Sequence, residues 1–496
     1  MLWLHFSRGG LSWYSAAGIL QQCSAGVLPG TRRLTFCRSR MPEILFHYER
    51  VNPTSWAYLS SLLTLALYFK FNRVLSVRNV DLFLMILLAP GLLLVQWSWE
   101  NRSAENALAI EHLGFLWLLA TELILLVRLL VDNAMVRRPL LDPNLNGAGL
   151  LFMGSSLLFF LMANVVTGKP KAEDLQPGRT TEEIRVNETV GEVQDSFATD
   201  GPGFFWIYRL PRIVTQTVIQ DQPAQQEENT PQERVAEEIE IQQATARAVA
   251  ILSHVLIVGG MLVIGHRHFD NITMGIAAAT MYLLLPYTAL WTGNVVHAVP
   301  AALMVWSIVC YRQPLLAGMM IGLASGTIYY PAFLLPLWCS FYWNRGLKRF
   351  LIGVVLMIGA LLLTLAFTAT DTERFIENSL QMFGLRLPTT AVLQGIWKFW
   401  NPVYRYPVLA AFVAMSFSFT IWPFQKNLAT LISCTGAVMA AAQFWHARDG
   451  GIYIAWFLPL LLLAIFRPNL EDRVAETMVG EGWWVARRKK LAAIPN

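Results

Sequence analysis

Charge is what this sequence lacks. Only 14% of its 496 residues are Asp, Glu, Lys or Arg, where a soluble protein of this size carries about 25%. That shortage excludes a soluble enzyme as the whole molecule. Lys plus Arg is 38 and Asp plus Glu is 33, a net +5. So small a surplus gives no electrostatic case for nucleic acid. Cysteine is scarce too. Cys23, Cys37, Cys310, Cys339 and Cys434 show no metal-ligand spacing, which excludes a disulfide scaffold and predicts no metal site. The last three lie in or beside apolar runs and read as small packing hydrophobes. GxxxxGK[ST], HExxH and GxSxG are all missing, so a P-loop motor and the corresponding zinc and serine hydrolases lack support. No cofactor is expected.

What is there is apolar. Hydrophobic residues make up 55% of the chain and the mean hydropathy is +0.44. Apolar runs fall at 54–69, 80–98, 108–130, 147–167, 247–265, 272–291, 295–311, 315–328, 331–344, 349–369, 406–423, 428–446 and 450–466. A spanning helix needs roughly 20 such residues. The expected fold is therefore all-α, a polytopic transmembrane helical bundle of about 13 spans. The runs 315–328 and 331–344 are short, and predict a tight hairpin or one broken element around Tyr329-Tyr330-Pro331. Trp97, Trp99, Trp291, Trp343, Trp397, Trp400 and Trp445 lie near segment ends and predict an aromatic belt.

Basic residues in short loops set the orientation. Lys70, Arg73, Arg78, Arg137, Arg138, Arg312, Arg345, Lys348, Arg349 and Lys426 fall on one side of an alternating path, with Arg487-Arg488-Lys489-Lys490 in the tail. This predicts a cell (inner) membrane protein with a cytoplasmic C-terminus. The domain reading is a 1–53 N-terminal extension, 1–40 of it read as a false start or a disordered stretch, then a 54–167 transmembrane group. A 168–246 acidic extracytoplasmic loop, a 247–466 transmembrane group and a 467–496 basic tail follow. The acidic loop holds 15 acids and 7 bases, a composition that predicts disorder or weak helix at its ends. Its apolar middle, Phe204-Phe205-Trp206-Ile207-Tyr208, predicts an element lying on the membrane surface.

The extracytoplasmic side gathers the candidate chemistry. Glu100 and Glu105, with Glu111 and His112 beyond, flank the start of the third span, where a carboxylate can act as general base or hold a sugar hydroxyl or simply complement a helix start. Glu122 sits near mid-span, where charge is costly and calls for a cavity, a proton or a partner such as Arg128. His297, and the cluster His446, Arg448 and Asp449, share the same face. Arg374, Arg386, Lys398 and Arg405 stand near Trp397, Phe399 and Trp400, a pattern that suits an anionic head group and also any interfacial helix.

The stretch 275–350 resembles the central part of GT-C-type glycosyltransferases, in the polyprenol-phosphate-dependent mannosyltransferase branch. The matching features are Leu284-Leu285-Pro286, Tyr311-Arg312, Ala317-Gly318, Gly322-Leu323-Ala324, the aromatic-Pro step Tyr330-Pro331 and the basic loop Arg345–Arg349. Gly318, Gly322 and Gly326 form a flat helix face for close packing. The resemblance implies an integral membrane glycosyltransferase that moves a sugar from a polyprenyl-phosphate donor to an acceptor at the extracytoplasmic face. Glu100 or Glu105 would be the catalytic acid, in place of the family's Asp. Arg374, Lys398, Arg405 and Arg448 would hold donor phosphate, and His297 would line the acceptor side. Tyr329-Tyr330 stand where the family often has Lys before the proline. Two rival readings remain: a secondary transporter or lipid flippase working through Glu122, and a non-catalytic scaffold.

Overall fold

A computed structural model describes residues 52–135, 141–168, 170, 175, 201–220, 231–369, 371–385, 393–424 and 426–468. The expectations for the N-terminal extension, most of the acidic loop, Arg137, Arg138, Arg386 and the basic tail lie outside these residues, as does the side chain of Arg374.

The described residues are helical and contain no strand. The elements are α1 (Pro53–Tyr68), α2 (Val77–Ile86), α3 (Leu88–Glu100), α4 (Ala107–Val131), α5 (Gly147–Thr167), α6 (Gly203–Gln220), α7 (Pro231–Arg267), α8 (Ile272–Leu284) and α9 (Pro286–Leu290). They continue with α10 (Val295–Val309), α11 (Pro314–Thr327), α12 (Leu335–Tyr342), α13 (Leu347–Thr368), α14 (Thr372–Met382), α15 (Arg405–Ser418), α16 (Leu428–Ala442) and α17 (Leu458–Phe466). Asparagine starts many of them. The side chains of Asn52, Asn146, Asn271, Asn294 and Asn427 each accept a backbone N–H in the first turn, satisfying a donor with no helical partner. Proline opens α1, α9 and α11, where its missing N–H costs nothing.

Five stretches among the described residues are long and apolar enough to cross a membrane: Val77–Glu100, Ala107–Ala134, Gly147–Thr167, Glu237–Arg267 and Leu347–Phe367. Most of the other expected spans are shorter helices. Proline explains several breaks. Pro286 separates α8 from α9, and Tyr330–Leu334 forms a 3-10 turn between α11 and α12. The run 315–344 is thus two helices joined at the Tyr329-Tyr330-Pro331 step. Leu87 divides α2 from α3, and its carbonyl accepts the Trp117 indole N–H at 2.7 Å. The run 450–466 holds a short 3-10 turn, Ile454–Trp456, and the nine-residue α17, every residue of which is buried. Irregular backbone is tolerated at membrane depth where protein encloses it. α16 is likewise buried throughout, whereas α5 and α13 expose Phe152, Phe159, Val355 and Phe367, as lipid-facing helices do.

Two parts of the 168–246 segment form helices. The span expected at 247–265 is the second half of α7, whose helix begins at Pro231. The apolar middle, expected to lie on the membrane surface, folds as α6, one side of which docks on protein while Trp206, Ile213 and Val214 stay exposed. Phe204 and Tyr208 bury against Ala246, Val249, Ala250, Val295 and Val299. Arg212 pairs with Glu238 at 2.9 Å, and the Trp206 indole donates to Thr364 Oγ1 at 2.9 Å. Helix partners drawn from distant sequence supply the core that this composition lacks locally.

Candidate functional site

Glu100 is the last residue of α3. It is exposed, its Oε1 accepts from Gln96 Nε2 at 2.9 Å, and it lines a cavity of about 280 Å³. The cavity draws its walls from α1, α3, α5, α7 and the α9–α10 turn. Trp56, Phe160 and Trp291 supply aromatic surface, and Asn164, Asn294 and Arg247 supply polar groups. Trp56 and Phe160 stack with centroids 5.8 Å apart. Arg247 donates from Nη2 to the Gly168 carbonyl at 3.0 Å, which fixes its guanidinium at the wall. The volume sits just below the roughly 300–1,000 Å³ usual for small-molecule sites.

Glu105 is exposed in the turn before α4 and is not among the cavity-lining residues. Glu111 and His112 contact the 393–400 segment. The buried Glu111 accepts a charged hydrogen bond from Lys398 at 2.9 Å. The His112 ring stacks on Phe399 at 4.6 Å. Both contacts arise because the 3-10 turn Gly395–Lys398 and its following residue pack on the first turns of α4. Arg405 is buried and donates from Nη2 to the Trp445 carbonyl at 3.0 Å, with its guanidinium 5.9 Å from the Trp397 ring. Arg448 is exposed, and its backbone N–H donates to His446 Nδ1 at 3.1 Å. Lys398, Arg405 and Arg448 therefore gather around the α16–α17 turn rather than the cavity. Trp397 and Trp445, expected in an interfacial belt, are buried there.

A stack of rings joins the two clusters. Trp291 lies 4.7 Å from His297 at 11°, His297 lies 4.6 Å from Tyr453, and Tyr453 lies 4.7 Å from His446. Tyr330 faces His446 from the other side at 5.2 Å, and its hydroxyl accepts from Tyr329 at 2.6 Å. His297 is buried, and its Nδ1 lies 2.6 Å from the Tyr287 hydroxyl. It stands behind Trp291 rather than on the cavity wall. Burial pushes the His446 imidazole down to about 3, and the neighbouring Arg448 and Arg405 charges act in the same direction.

Glu122 and Arg128 do not pair. Arg128 binds Asp81 through both carboxylate oxygens at 2.7 and 2.9 Å and Asp132 at 3.0 Å. Arg467 completes the network on Asp132 at 2.8 Å.

Sequence reasoning missed Arg247, because it closes a Glu- and Gln-rich stretch. Its usable signal was a lone base at the edge of an apolar run. Tyr329 and Tyr330, read from the sequence as a chain break and a family comparison rather than as site residues, are ring contacts of the second cluster. Among the described residues no group of three His, Cys, Asp or Glu side chains is placed to hold a metal ion. No protein-family model matches the chain, and no curated protein or solved structure matches it either.

Proposed function

We propose that this chain is an integral membrane glycosyltransferase of the GT-C type that moves a sugar from a polyprenyl-phosphate donor to an acceptor hydroxyl. The observation that carries the reading is the cavity in which one carboxylate, one guanidinium and three aromatic side chains meet from separate parts of the chain. Each suits one part of the reaction. Aromatic faces pack against the apolar face of a sugar ring. Glu100 takes the proton of the acceptor hydroxyl as its oxygen bonds to the anomeric carbon. The bond from that carbon to the donor phosphate breaks, and Arg247 holds the departing phosphate, the anion for which a guanidinium has matched geometry. The same reading takes the short helices as paired or tilted spans, about 13 in all. It sets the cavity on the extracytoplasmic face of the cell membrane, with a cytoplasmic C-terminus.

The test is sugar transfer in membranes carrying a labelled lipid-linked donor. Glu100→Gln is expected to lower incorporation by about 10²–10⁴, the range for loss of a general base. Arg247→Gln should weaken donor use, and Glu105→Gln should leave incorporation at the parent level. Full activity in Glu100→Gln would remove the carboxylate from the mechanism and the reading with it.

A further inference from the structure

Three turns at the end of the molecule away from the cavity share one apolar surface. α10 starts next to Asn294 on the cavity wall and runs to Val309, about 22 Å along its axis. The turn that follows it, 310–313, lies beside the α12–α13 turn, 343–346, and the α15–α16 turn, 419–427. Hydrogen bonds tie the three together. The Tyr342 hydroxyl donates to the Tyr311 carbonyl at 2.5 Å. Ser340 Oγ donates to the Thr420 carbonyl at 2.7 Å, and Arg345 Nη1 donates to the Lys426 carbonyl at 3.1 Å. Trp343, between those last two donors, is exposed. So are Ile421, Trp422 and Phe424, the last by 92%.

The backbone of the longest turn is satisfied from within. Lys426 is buried, and its Nζ donates to the Thr420 and Pro423 carbonyls at 3.2 and 3.0 Å. In a solvated turn water does this. At a lipid boundary, protein groups have to. α13 is one of the five membrane-length stretches and begins at Leu347, so the turn before it stands at such a boundary. Indole rings favour that depth. Charge points the same way. The three turns and the first residues of α13 hold Arg312, Arg345, Lys348, Arg349 and Lys426 and no acid. None of these five pairs with a carboxylate among the described residues. Arg312, Lys348 and Arg349 are exposed. Apolar side chains bordered by bases that lack acids complement acyl chains capped by anionic phosphate.

We propose that this face is a binding site for anionic phospholipid. Trp343, Ile421, Trp422 and Phe424 enter the head-group and upper acyl region, and Arg312, Lys348 and Arg349 hold head-group phosphate. The site lies at the far end of α10 from the cavity and is independent of sugar transfer.

The purified full-length chain, offered equal amounts of phosphatidylglycerol and phosphatidylcholine with identical acyl chains, tests this by mass spectrometry of the lipid it retains. Phosphatidylglycerol should be retained in excess. The combined variant Arg312→Gln, Lys348→Gln and Arg349→Gln should lower that excess by about fivefold or more, fivefold being the effect of one juxtamembrane charge. A second measurement places a nitroxide in Phe424→Cys, in a cysteine-free background and phosphatidylglycerol vesicles. It should meet oxygen more often than an aqueous nickel complex. Equal retention of the two lipids, or an excess that the combined variant keeps, overturns the site. So does a nitroxide reached better by nickel than by oxygen, which would set the turn in water. Dipolar broadening between nitroxides would make the face a contact between copies and overturn it too. Sugar transfer enters neither readout, so failure of either reading leaves the other standing.

Discussion

His446 shows how placement decides the chemistry of a single residue. In sequence it is one polar group in a short turn. In the fold it is pressed between Tyr330 and Tyr453, and burial holds it neutral, down to about 3 from 6.5. The unfolded chain then binds a proton that the folded chain refuses as pH falls from 6.5 toward 3, so the His446 contribution to stability falls across that window and is fully present above it. Thermal unfolding in detergent is expected to shift downward between pH 7 and pH 4, and His446→Gln should remove part of that shift. Arg128 makes the complementary case. Its guanidinium serves two buried aspartates, and removing one partner of such a group leaves uncompensated charge. Arg128→Met should cost about 3–5 kcal/mol, read as a loss of thermal stability, with the cavity walls untouched.

Among the elements, α11 and α13 show what the glycine spacing is for. A Cβ built on Gly318 would stand 2.2 Å from the Phe350 carbonyl oxygen, and one on Gly353 would stand 2.1 Å from that of Leu315. The two helices approach until backbone meets backbone, so the flat face predicted from Gly318, Gly322 and Gly326 is in use, with Gly353 answering it. Gly318→Ala is expected to destabilise by about 1–3 kcal/mol, the usual cost of overpacking. Gly359→Ala on α13 meets nothing within 4 Å and should leave the melting temperature unchanged. The helix starts near 54, 147, 272, 295 and 428 were legible from the apolar runs alone, and an asparagine caps each. The docking of α6 was not. Its sequence is amphipathic, and its own composition says nothing about whether lipid or protein covers Phe204 and Tyr208.

For the molecule as a whole, one end collects Glu100, the cavity, His297 and the α16–α17 turn, linked by ring contacts. The Asp81, Arg128, Asp132 and Arg467 network lies at the other end of α4. Ser103, Arg448 and Asn72 are exposed. In a cysteine-free background, Ser103→Cys and Arg448→Cys should react with an impermeant maleimide from the same side of sealed vesicles. Asn72→Cys should react only from the opposite side. Labelling of Ser103→Cys and Arg448→Cys from different sides would break the arrangement that sets the Glu100 end of α3 and the α16–α17 turn on one face.

Composition and apolar periodicity determined by themselves that this chain is helical and rich in membrane-length runs, because the solvent preference of a stretch is a local property. They also marked Glu100, which ends an apolar run and so had to emerge near a surface. Only tertiary structure decided which charges meet. Arg128 takes a partner 47 residues away and Arg467 one 335 residues away, while Lys398 reaches Glu111 across 287. Pairing in a low-dielectric interior is set by distance in space, and chain spacing carries no record of it.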